Sequence, residues 1–162
     1  MAKPYAMPSV EQPVAENTLW PQGFAAWIKV GACYHQGSRK LANLLRPIGL
    51  TVAQFDALAT LYVADGISQK ELAERLLVTK GNVTGLVERL MAHGFVTRRA
   101  DPRDRRAYRL HLTRVGINRA RRGLEIQREL ITRVIAVLDA GEQETLRELL
   151  SRVTSRLEQE ET

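Results

Sequence analysis

The segment TKGNVTGLVERLMAHGFVTRRADPRDRRAYRLHLTRVG, residues 79–116, combines an amphipathic helix with an arginine-rich hairpin. Its first part repeats apolar residues at three- and four-residue intervals from Val83 to Leu90, which is typical of one buried helical face. Its second part alternates apolar and polar residues around an Asp-Pro turn, and six arginines fall within the twelve residues from Arg98 to Arg109. The segment therefore predicts a helix followed by two short strands whose connecting loop is strongly basic.

The preceding segment SQKELAERLLV, residues 68–78, adds a short helix and a tight turn. Leu72, Ala73 and Leu76 would face inward, and the small Ala73 would allow two helices to cross closely. The hairpin follows directly, with FVTRRA (95–100) and AYRLHL (107–112) as strands and DPRDRR as the loop. This order predicts a winged helix-turn-helix domain. Because the hairpin is the only β pattern in the chain, we expect a mainly α fold with a small β-hairpin wing and a helical dimerisation region.

The outward face of the second helix carries small, polar or cationic residues. They are Lys80, Gly81, Asn82, Thr84, Gly85, Glu88 and Arg89. A helix docked in the DNA major groove needs hydrogen-bonding side chains near its N-terminus and little bulk beside the phosphates, which its dipole attracts. Taken alone, the pattern fits a solvated helical hairpin equally well. The basic hairpin favours DNA, because arginine suits the narrow, electronegative minor groove.

Six helices follow from the pattern of the whole chain. Three of them begin with capping boxes, formed by Thr51 with Gln54, Ser68 with Glu71, and Asp139 with Glu142. The others are a helix from Trp20 that ends before Pro47, the amphipathic helix closed by Gly94, and a long helix within residues 113–138. Residues 1–17, which contain three prolines and show no periodicity, are expected to form a flexible arm.

The long helices carry apolar stripes that one small winged domain could not bury. The stripes comprise Leu146, Leu150, Val153 and Leu157 in the last helix, and Ile117, Ala120, Leu124, Ile131, Val134, Ile135 and Leu138 in the helix before it. Packing against a twofold mate would cover them. We therefore divide the chain into an arm (1–17), a helical dimerisation region (18–50 and 113–162) and a winged helix-turn-helix domain (51–112).

The composition limits the expected partners and compartment. An excess of 24 Lys and Arg over 18 Asp and Glu gives a net charge of +6, which favours polyanions such as nucleic acid. We see neither a secretory signal nor an apolar run of the ~18 residues that a membrane span needs, and we expect a cytoplasmic protein. The single cysteine, Cys33, is expected to be buried and inert. His35, His93 and His111 lie far apart in sequence, so we expect no metal and no cofactor.

Residues 79–116 resemble the MarR family of bacterial transcriptional regulators. The family pattern is a recognition helix ending in L-x-x-x-G, a short strand, D-x-R-D-x-R or similar in the wing, and L-T-x-x-G at the start of the next helix. This chain has Leu90–Gly94, Asp101–Arg106 and Leu112–Gly116 in those places. The helices LTVAQFDALATL and SQKELAERL also match, so the resemblance covers roughly residues 20–160.

The resemblance implies a homodimeric regulator, most often a repressor, whose two winged domains bind a pseudo-palindromic operator in double-stranded DNA. It also implies that Asp104 orients Arg106 for the minor groove, which a carboxylate two residues away permits; a turn-forming role for Asp104 is the alternative. Arg103 and Arg105 would contact phosphates or remain solvated. The predicted DNA-binding residues are Ser68, Gln69, Thr79, Lys80, Gly81, Asn82, Thr84, Gly85, Arg89, Arg103, Asp104, Arg105 and Arg106.

A small-molecule effector is a further implication of the resemblance. Family members commonly release DNA when a small aromatic or phenolic anion binds between the dimer helices and the winged domain. The candidate binding residues are Trp27, Tyr34, His35, Arg39 and Tyr62, with an ordinary core or surface role as the alternative for each. The peroxide-sensing members carry their reactive cysteine nearer the start of the first helix than Cys33, so that match fails.

Two other functional classes compete with DNA binding. No nucleophile with an adjacent base, no phosphate-binding loop and no carboxylate pair in an apolar setting appears, so we expect no enzyme. A winged helix that binds a protein partner is the second alternative, and salt dependence separates it from a DNA-binding protein because phosphate contacts release counterions. Double-stranded RNA is disfavoured, since an α-helix cannot read its narrow, deep groove.

Overall fold

The computed structural model describes residues 21–101 and 108–160. Within these ranges the chain forms six α-helices, one 3₁₀ turn and a three-stranded antiparallel sheet. In chain order they are α1 (Phe24–Leu45), the 3₁₀ turn (Arg46–Ile48), α2 (Val52–Val63), β1 (Ile67–Ser68), α3 (Gln69–Arg75), α4 (Lys80–Ala92), β2 (Val96–Ala100), β3 (Tyr108–Leu112), α5 (Arg114–Ile135) and α6 (Ala140–Glu160). The predicted fold class, mainly α with a small wing, is confirmed.

The helix ends follow local sequence chemistry. In each of the three predicted capping boxes, the N-cap backbone N–H donates to the side chain three residues later, and the N-cap side chain accepts a backbone N–H in return. At the end of α4, Gly94 has a left-handed φ of 69°, and the Phe95 N–H donates to the Leu90 carbonyl at 2.9 Å. This is a Schellman motif, which turns the chain sharply from α4 into the wing.

α1 differs from its prediction in two respects. It begins at Phe24 rather than at Trp20, because Gly23 has a left-handed φ of 91° that no helical residue adopts. Cys33 is exposed, so its predicted burial is wrong. Only Leu41 and Leu45 of α1 are buried, which shows that the helix joins the core by its C-terminal end alone.

The sheet has the strand order β1–β3–β2, with both pairings antiparallel. The hairpin of β2 and β3 is as predicted, but β1 is an additional strand that the sequence analysis missed. Ile67 pairs with Leu110 and Ser68 with Arg109. A strand of two residues is too short to show any alternation, and Ser68 already reads as a helix cap. This short pairing fixes the start of α3 to the middle of the wing.

The core of the winged domain is built around α2, whose Phe55, Ala57, Leu58 and Leu61 are buried. The predicted inward faces of α3 and α4 contribute Leu72, Ala73, Val83, Leu86, Val87 and Leu90. Leu76, also predicted to face inward, is partly buried and packs against this core. The strands contribute Val96 and Leu110. Helix-turn-helix and wing therefore share one continuous apolar core with α2 and α5.

α5 approaches this core closely enough that two of its positions need glycine. A Cβ on Gly116 would overlap the carbonyl oxygen of Phe95, and a Cβ on Gly123 would overlap the ring of Phe55. Ala120, between them, is fully buried. The first half of the α5 stripe that was predicted to face a twofold mate therefore packs on the winged domain instead, whereas Ile131 further along is 51% exposed.

α6 contains no buried residue. Its exposed apolar side chains are Leu146, Leu149, Leu150, Val153 and Leu157. Within the part of the chain that the structure describes, no helix is both long enough and apolar enough to cross a membrane.

We predict that Gly116→Ala destabilises the protein by about 3 kcal/mol, because the new methyl group meets backbone that cannot rotate away. The matched control is Gly37→Ala in α1, where a Cβ meets nothing within 4 Å and improved helix propensity should stabilise the fold by up to about 1 kcal/mol. Urea unfolding measured by circular dichroism gives both values. Equal stabilities for the two variants would contradict the close packing of α5 on the wing.

Candidate nucleic-acid interface

α3 and α4 are joined by a turn that contains a strained residue. Leu77 has a left-handed φ of 53° and a side chain that is 93% exposed. Its N–H donates to the Glu74 carbonyl at 3.2 Å, and the Val78 N–H donates to the Ala73 carbonyl at 3.1 Å. These two bonds close α3 as Gly94 closes α4, but with a residue that adopts this conformation at a cost of about 1–2 kcal/mol. The turn sets the crossing of the two helices.

The outer face of α4 is polar and carries little bulk. Gly81, Asn82 and Arg89 are exposed, and Thr84 and Gly85 are half-buried. A Cβ on Gly81 would meet nothing within 4 Å, so neighbouring side chains leave the helix backbone open there. Lys80 is the first residue of α4. At Gly85 the Arg89 guanidinium would lie 3.5 Å from a Cβ, so the backbone is open to a docked surface at the first turn.

Two of the predicted DNA-binding residues are helix N-caps. The Thr79 hydroxyl oxygen accepts the Asn82 N–H at 3.4 Å, and the Ser68 hydroxyl oxygen accepts the Glu71 N–H at 3.2 Å. Both hydroxyls therefore lie at helix N-termini, where the positive ends of the helix dipoles favour anions.

Gln69 and Thr84, also predicted to bind DNA, are hydrogen-bonded to each other. Gln69 Nε2 donates to Thr84 Oγ1 at 2.6 Å, and Arg98 Nη2 of β2 donates to Gln69 Oε1 at 3.0 Å. Arg98 was not among the site residues predicted from the sequence. These three side chains, which we call the Arg98–Gln69–Thr84 bridge, link the wing to α4 across the first residue of α3.

The loop end of the hairpin is held by Arg109 of β3, a residue that the sequence pattern did not mark. Arg109 Nε donates to the buried Asp101 carboxylate at 2.5 Å, and Nη1 donates to Glu71 at 3.2 Å. The pairing with Asp101 raises the pKa of Arg109 above its usual value. Hydrogen bonds with the side chain and backbone of Ser68, together with the charge of Arg109, lower the pKa of Glu71. Glu71 thus caps α3 and anchors the wing at once.

A second carboxylate holds the other end of β3. Asp65 accepts a hydrogen bond from the Leu112 N–H at 2.9 Å, and its other oxygen lies 2.7 Å from His111 Nδ1. Partial burial opposes ionisation of Asp65, but the bonds with His111 and Leu112 outweigh it and lower its pKa. The adjacent Gly66 has a φ of 79° and lies against the His111 ring. The turn before β1 is therefore fixed to the wing.

The predicted residues at the wing tip, Arg103, Asp104, Arg105 and Arg106, lie outside the residues that the structure describes. The pairing of Asp104 with Arg106 stays a prediction. The described strands end at the pair Ala100–Tyr108, and Asp101 is the last described residue before the loop.

The five candidate effector residues fall into two groups. Trp27, Tyr34, His35 and Arg39 lie on exposed parts of α1. Tyr62 instead lines a groove of about 310 Å³ between α2 and α5, together with four residues that the sequence analysis missed: Arg121, Leu124, Glu125 and Arg128. The Arg121 guanidinium lies 5.8 Å from the centre of the Tyr62 ring, and its Nε donates to the Tyr62 hydroxyl at 3.0 Å. No hydrogen bond or ring contact among the described residues joins the two groups.

Metal-binding side chains are scattered in the described ranges. No group of three or more His, Cys, Asp or Glu residues there could hold a metal ion.

The helix-turn-helix, the sheet order and the braced hairpin define a winged helix-turn-helix protein. Comparison with known proteins identifies the family. The model of the MarR family matches residues 48–107. The transcriptional repressor MprA of Escherichia coli is 30% identical over 134 residues, covering 80% of this chain and 76% of MprA.

Two solved structures have the same fold. A cysteine-to-serine mutant of MarR from Escherichia coli, in complex with operator DNA, is 30% identical with a TM-score of 0.71 over 80% of this chain and 96% of MarR. The organohalide-sensing regulator RdhR, bound to 2,4-dichlorophenol, is 18% identical with a TM-score of 0.76 over 90% of this chain and 89% of RdhR. The chain belongs to the MarR family of DNA-binding transcriptional regulators, which are not enzymes.

We predict that Glu71→Gln makes the protein less stable at pH 7 than the wild type and that this difference shrinks in acid. Glutamine keeps the capping box but removes the charge that faces Arg109. Because the folded pKa of Glu71 lies below its usual value of 4.5, its contribution is present above pH 4.5 and is lost as the pH falls through the folded pKa. Urea midpoints of both proteins between pH 7 and pH 3 measure the effect, and a difference that does not change with pH would contradict it.

Proposed function

We propose that this regulator represses transcription as a homodimer, that the dimer binds a pseudo-palindromic operator, and that a small aromatic or phenolic anion releases it. The observation that carries the proposal is the open, polar outer face of α4 next to a wing that is braced against α3. Two relatives support repression and operator binding separately: MprA is a transcriptional repressor, and the MarR mutant was solved in complex with operator DNA.

In this proposal the first two turns of α4 enter the major groove. Gly81 and Gly85 let the helix approach the base edges, and the exposed Asn82 amide suits adenine, to which it can both donate and accept a hydrogen bond. The Thr79 hydroxyl accepts the Asn82 N–H, and its own proton can then be donated to a phosphate beside the N-terminus of α4. The Ser68 hydroxyl is hydrogen-bonded to Glu71, so Ser68 would position the start of α3 beside the phosphates.

The wing tip would reach the neighbouring minor groove. Its loop carries Arg103, Arg105 and Arg106, and Asp104 would orient Arg106 within the groove. The other two arginines would contact phosphates. This placement gives the concentrated positive charge of the loop a direct electrostatic role, because each neutralised phosphate releases counterions.

Homodimerisation is supported by the apolar surface of the long helices. The five large side chains of α6 are 38–50% exposed, and Trp27 of α1 is 52% exposed. Exposed apolar surface on this scale is unusual for a monomer and marks an interaction site. A twofold mate seated on α1, the end of α5 and α6 would set the two α4 helices for half-sites about 10 bp apart.

The groove at Tyr62 is the proposed effector site. An aromatic ring can pack on Leu124 and Tyr62, and Arg121 and Arg128 can neutralise an attached anionic group. RdhR, which shares the fold, binds 2,4-dichlorophenol. Because α2 belongs to the winged core and α5 runs on toward α6, a ligand that fits only one spacing of these two helices would shift the dimer away from its DNA-binding form. Trp27, Tyr34, His35 and Arg39 of α1 would contribute only where the dimer brings them to a groove.

We predict that Arg106→Ala weakens operator binding by about 1–3 kcal/mol and reduces the slope of log K against log salt by about one unit, as expected when one cationic group no longer reaches the DNA. Asn82→Ala should instead relax base preference within each half-site. Fluorescence anisotropy across a salt series, with an operator selected by footprinting the promoter of the protein's own gene, measures both. Arg147→Ala in α6 removes the same charge far from the interface and serves as the control. Unchanged binding by both interface variants would refute the site.

We predict that benzoate and 2,4-dichlorophenol release the wild-type protein from the operator. Release of Arg121→Ala should need about tenfold more benzoate, the anionic probe, because a charge-assisted hydrogen bond to its carboxylate is removed. Arg133→Ala, about 18 Å further along α5, should respond like the wild type. The readout is the probe concentration that halves the anisotropy change. Equal concentrations for wild type and Arg121→Ala would exclude the groove as the effector site.

A further inference from the structure

The Arg98–Gln69–Thr84 bridge uses both ends of one amide. Arginine has only hydrogen-bond donors, so the side chain of Gln69 must present its oxygen to Arg98 and its NH₂ group to Thr84. The orientation of the Gln69 amide is thus decided by chemistry. Arg98 therefore fixes which group of the amide faces Thr84, since reversing the amide would place its NH₂ group against the arginine and break that hydrogen bond.

The position of Arg98 on its strand supports an internal role. Arg98 is two residues from the buried Val96, so both side chains point to the inner face of the sheet, and Arg98 is half-buried. The neighbouring Arg99 points to the opposite face and is exposed. Only one of these two adjacent arginines is therefore turned toward the helix-turn-helix.

We infer that Arg98 and Gln69 are positioning residues that hold α4 in a fixed orientation relative to the wing, acting through Thr84, and that they are not DNA contacts. This inference rests on the proposed docking of α4 in the major groove. The bridge links Thr84, in the second turn of α4, to β2 of the wing. The contacts of α4 in the major groove and those of the wing in the minor groove therefore depend on each other. An arginine whose guanidinium is directed at Gln69 within the protein adds specificity and leaves the phosphate contacts unchanged.

Positioning and direct contact predict different salt dependence. Removal of one phosphate contact flattens the salt slope by about 0.9 for B-form DNA. Arg98→Ala is expected to weaken binding to the selected operator about tenfold, with a slope equal to that of the control Arg99→Ala, which removes the same charge from the same strand. It is also expected to broaden base preference at the positions read by α4. A slope reduced by about one unit relative to Arg99→Ala would show that Arg98 touches phosphate and would overturn the inference.

A double-mutant cycle tests whether Arg98 acts through Thr84. Thr84→Val keeps the shape of the side chain and removes the acceptor for Gln69. In that background Arg98→Ala should cost less than twofold further, whereas independent action would again give about tenfold and would overturn the inference. Gln69→Ala, which changes no charge, should reproduce the Arg98→Ala phenotype, and thermal unfolding of every variant separates impaired binding from impaired folding.

Asn82→Ala is the reference variant for docking. If Asn82→Ala leaves base preference unchanged, the proposed docking of α4 fails. If Asn82→Ala changes it while Arg98→Ala and Thr84→Val act independently, only the positioning role fails.

Discussion

The first turn of α3 is the point on which the whole winged domain depends. Three residues there have separate partners: Ser68 pairs with β3 and caps the helix, Gln69 joins β2 to α4, and Glu71 completes the cap and receives Arg109. Because these contacts share one short stretch of backbone, the helix cap, the wing and the recognition helix are positioned together. A change in the orientation of α4 would therefore be accompanied by a change in the direction of the wing.

Local chemistry explains which parts of the fold could be predicted from the sequence. Capping boxes and the inward faces of α3 and α4 depend on residues three or four positions apart, and the structure confirms them. Arg98 and Arg109 were missed as site residues because the α3 residues that they contact, Gln69 and Glu71, lie 29 and 38 positions away in sequence. β1 was missed because two residues carry no alternation, and the burial of Cys33 was wrongly predicted because periodicity reveals a helical face but not whether the domain covers it.

The same distinction applies to the effector residues. Aromatic and cationic residues on α1 could be selected by type, but only the packing of α2 against α5 shows that Tyr62 shares a groove with Arg121 and Arg128. α5 was predicted as a dimer helix along its whole length. In the structure its surroundings change along its length, since Gly116, Ala120 and Gly123 meet the winged core, whereas Ile131 and Val134 nearer its end are exposed.

α5 therefore connects the winged domain rigidly to the C-terminal part of the chain. Its 22 residues form one uninterrupted helix about 33 Å long, whose first turn touches the carbonyl of Phe95 with no side chain between. A rotation of about 5° that α5 makes together with the winged domain would displace its far end by about 3 Å. Since Gly116 and Gly123 leave no side chain between α5 and that domain, such rotations would be transmitted to the C-terminal helices with little side-chain repacking.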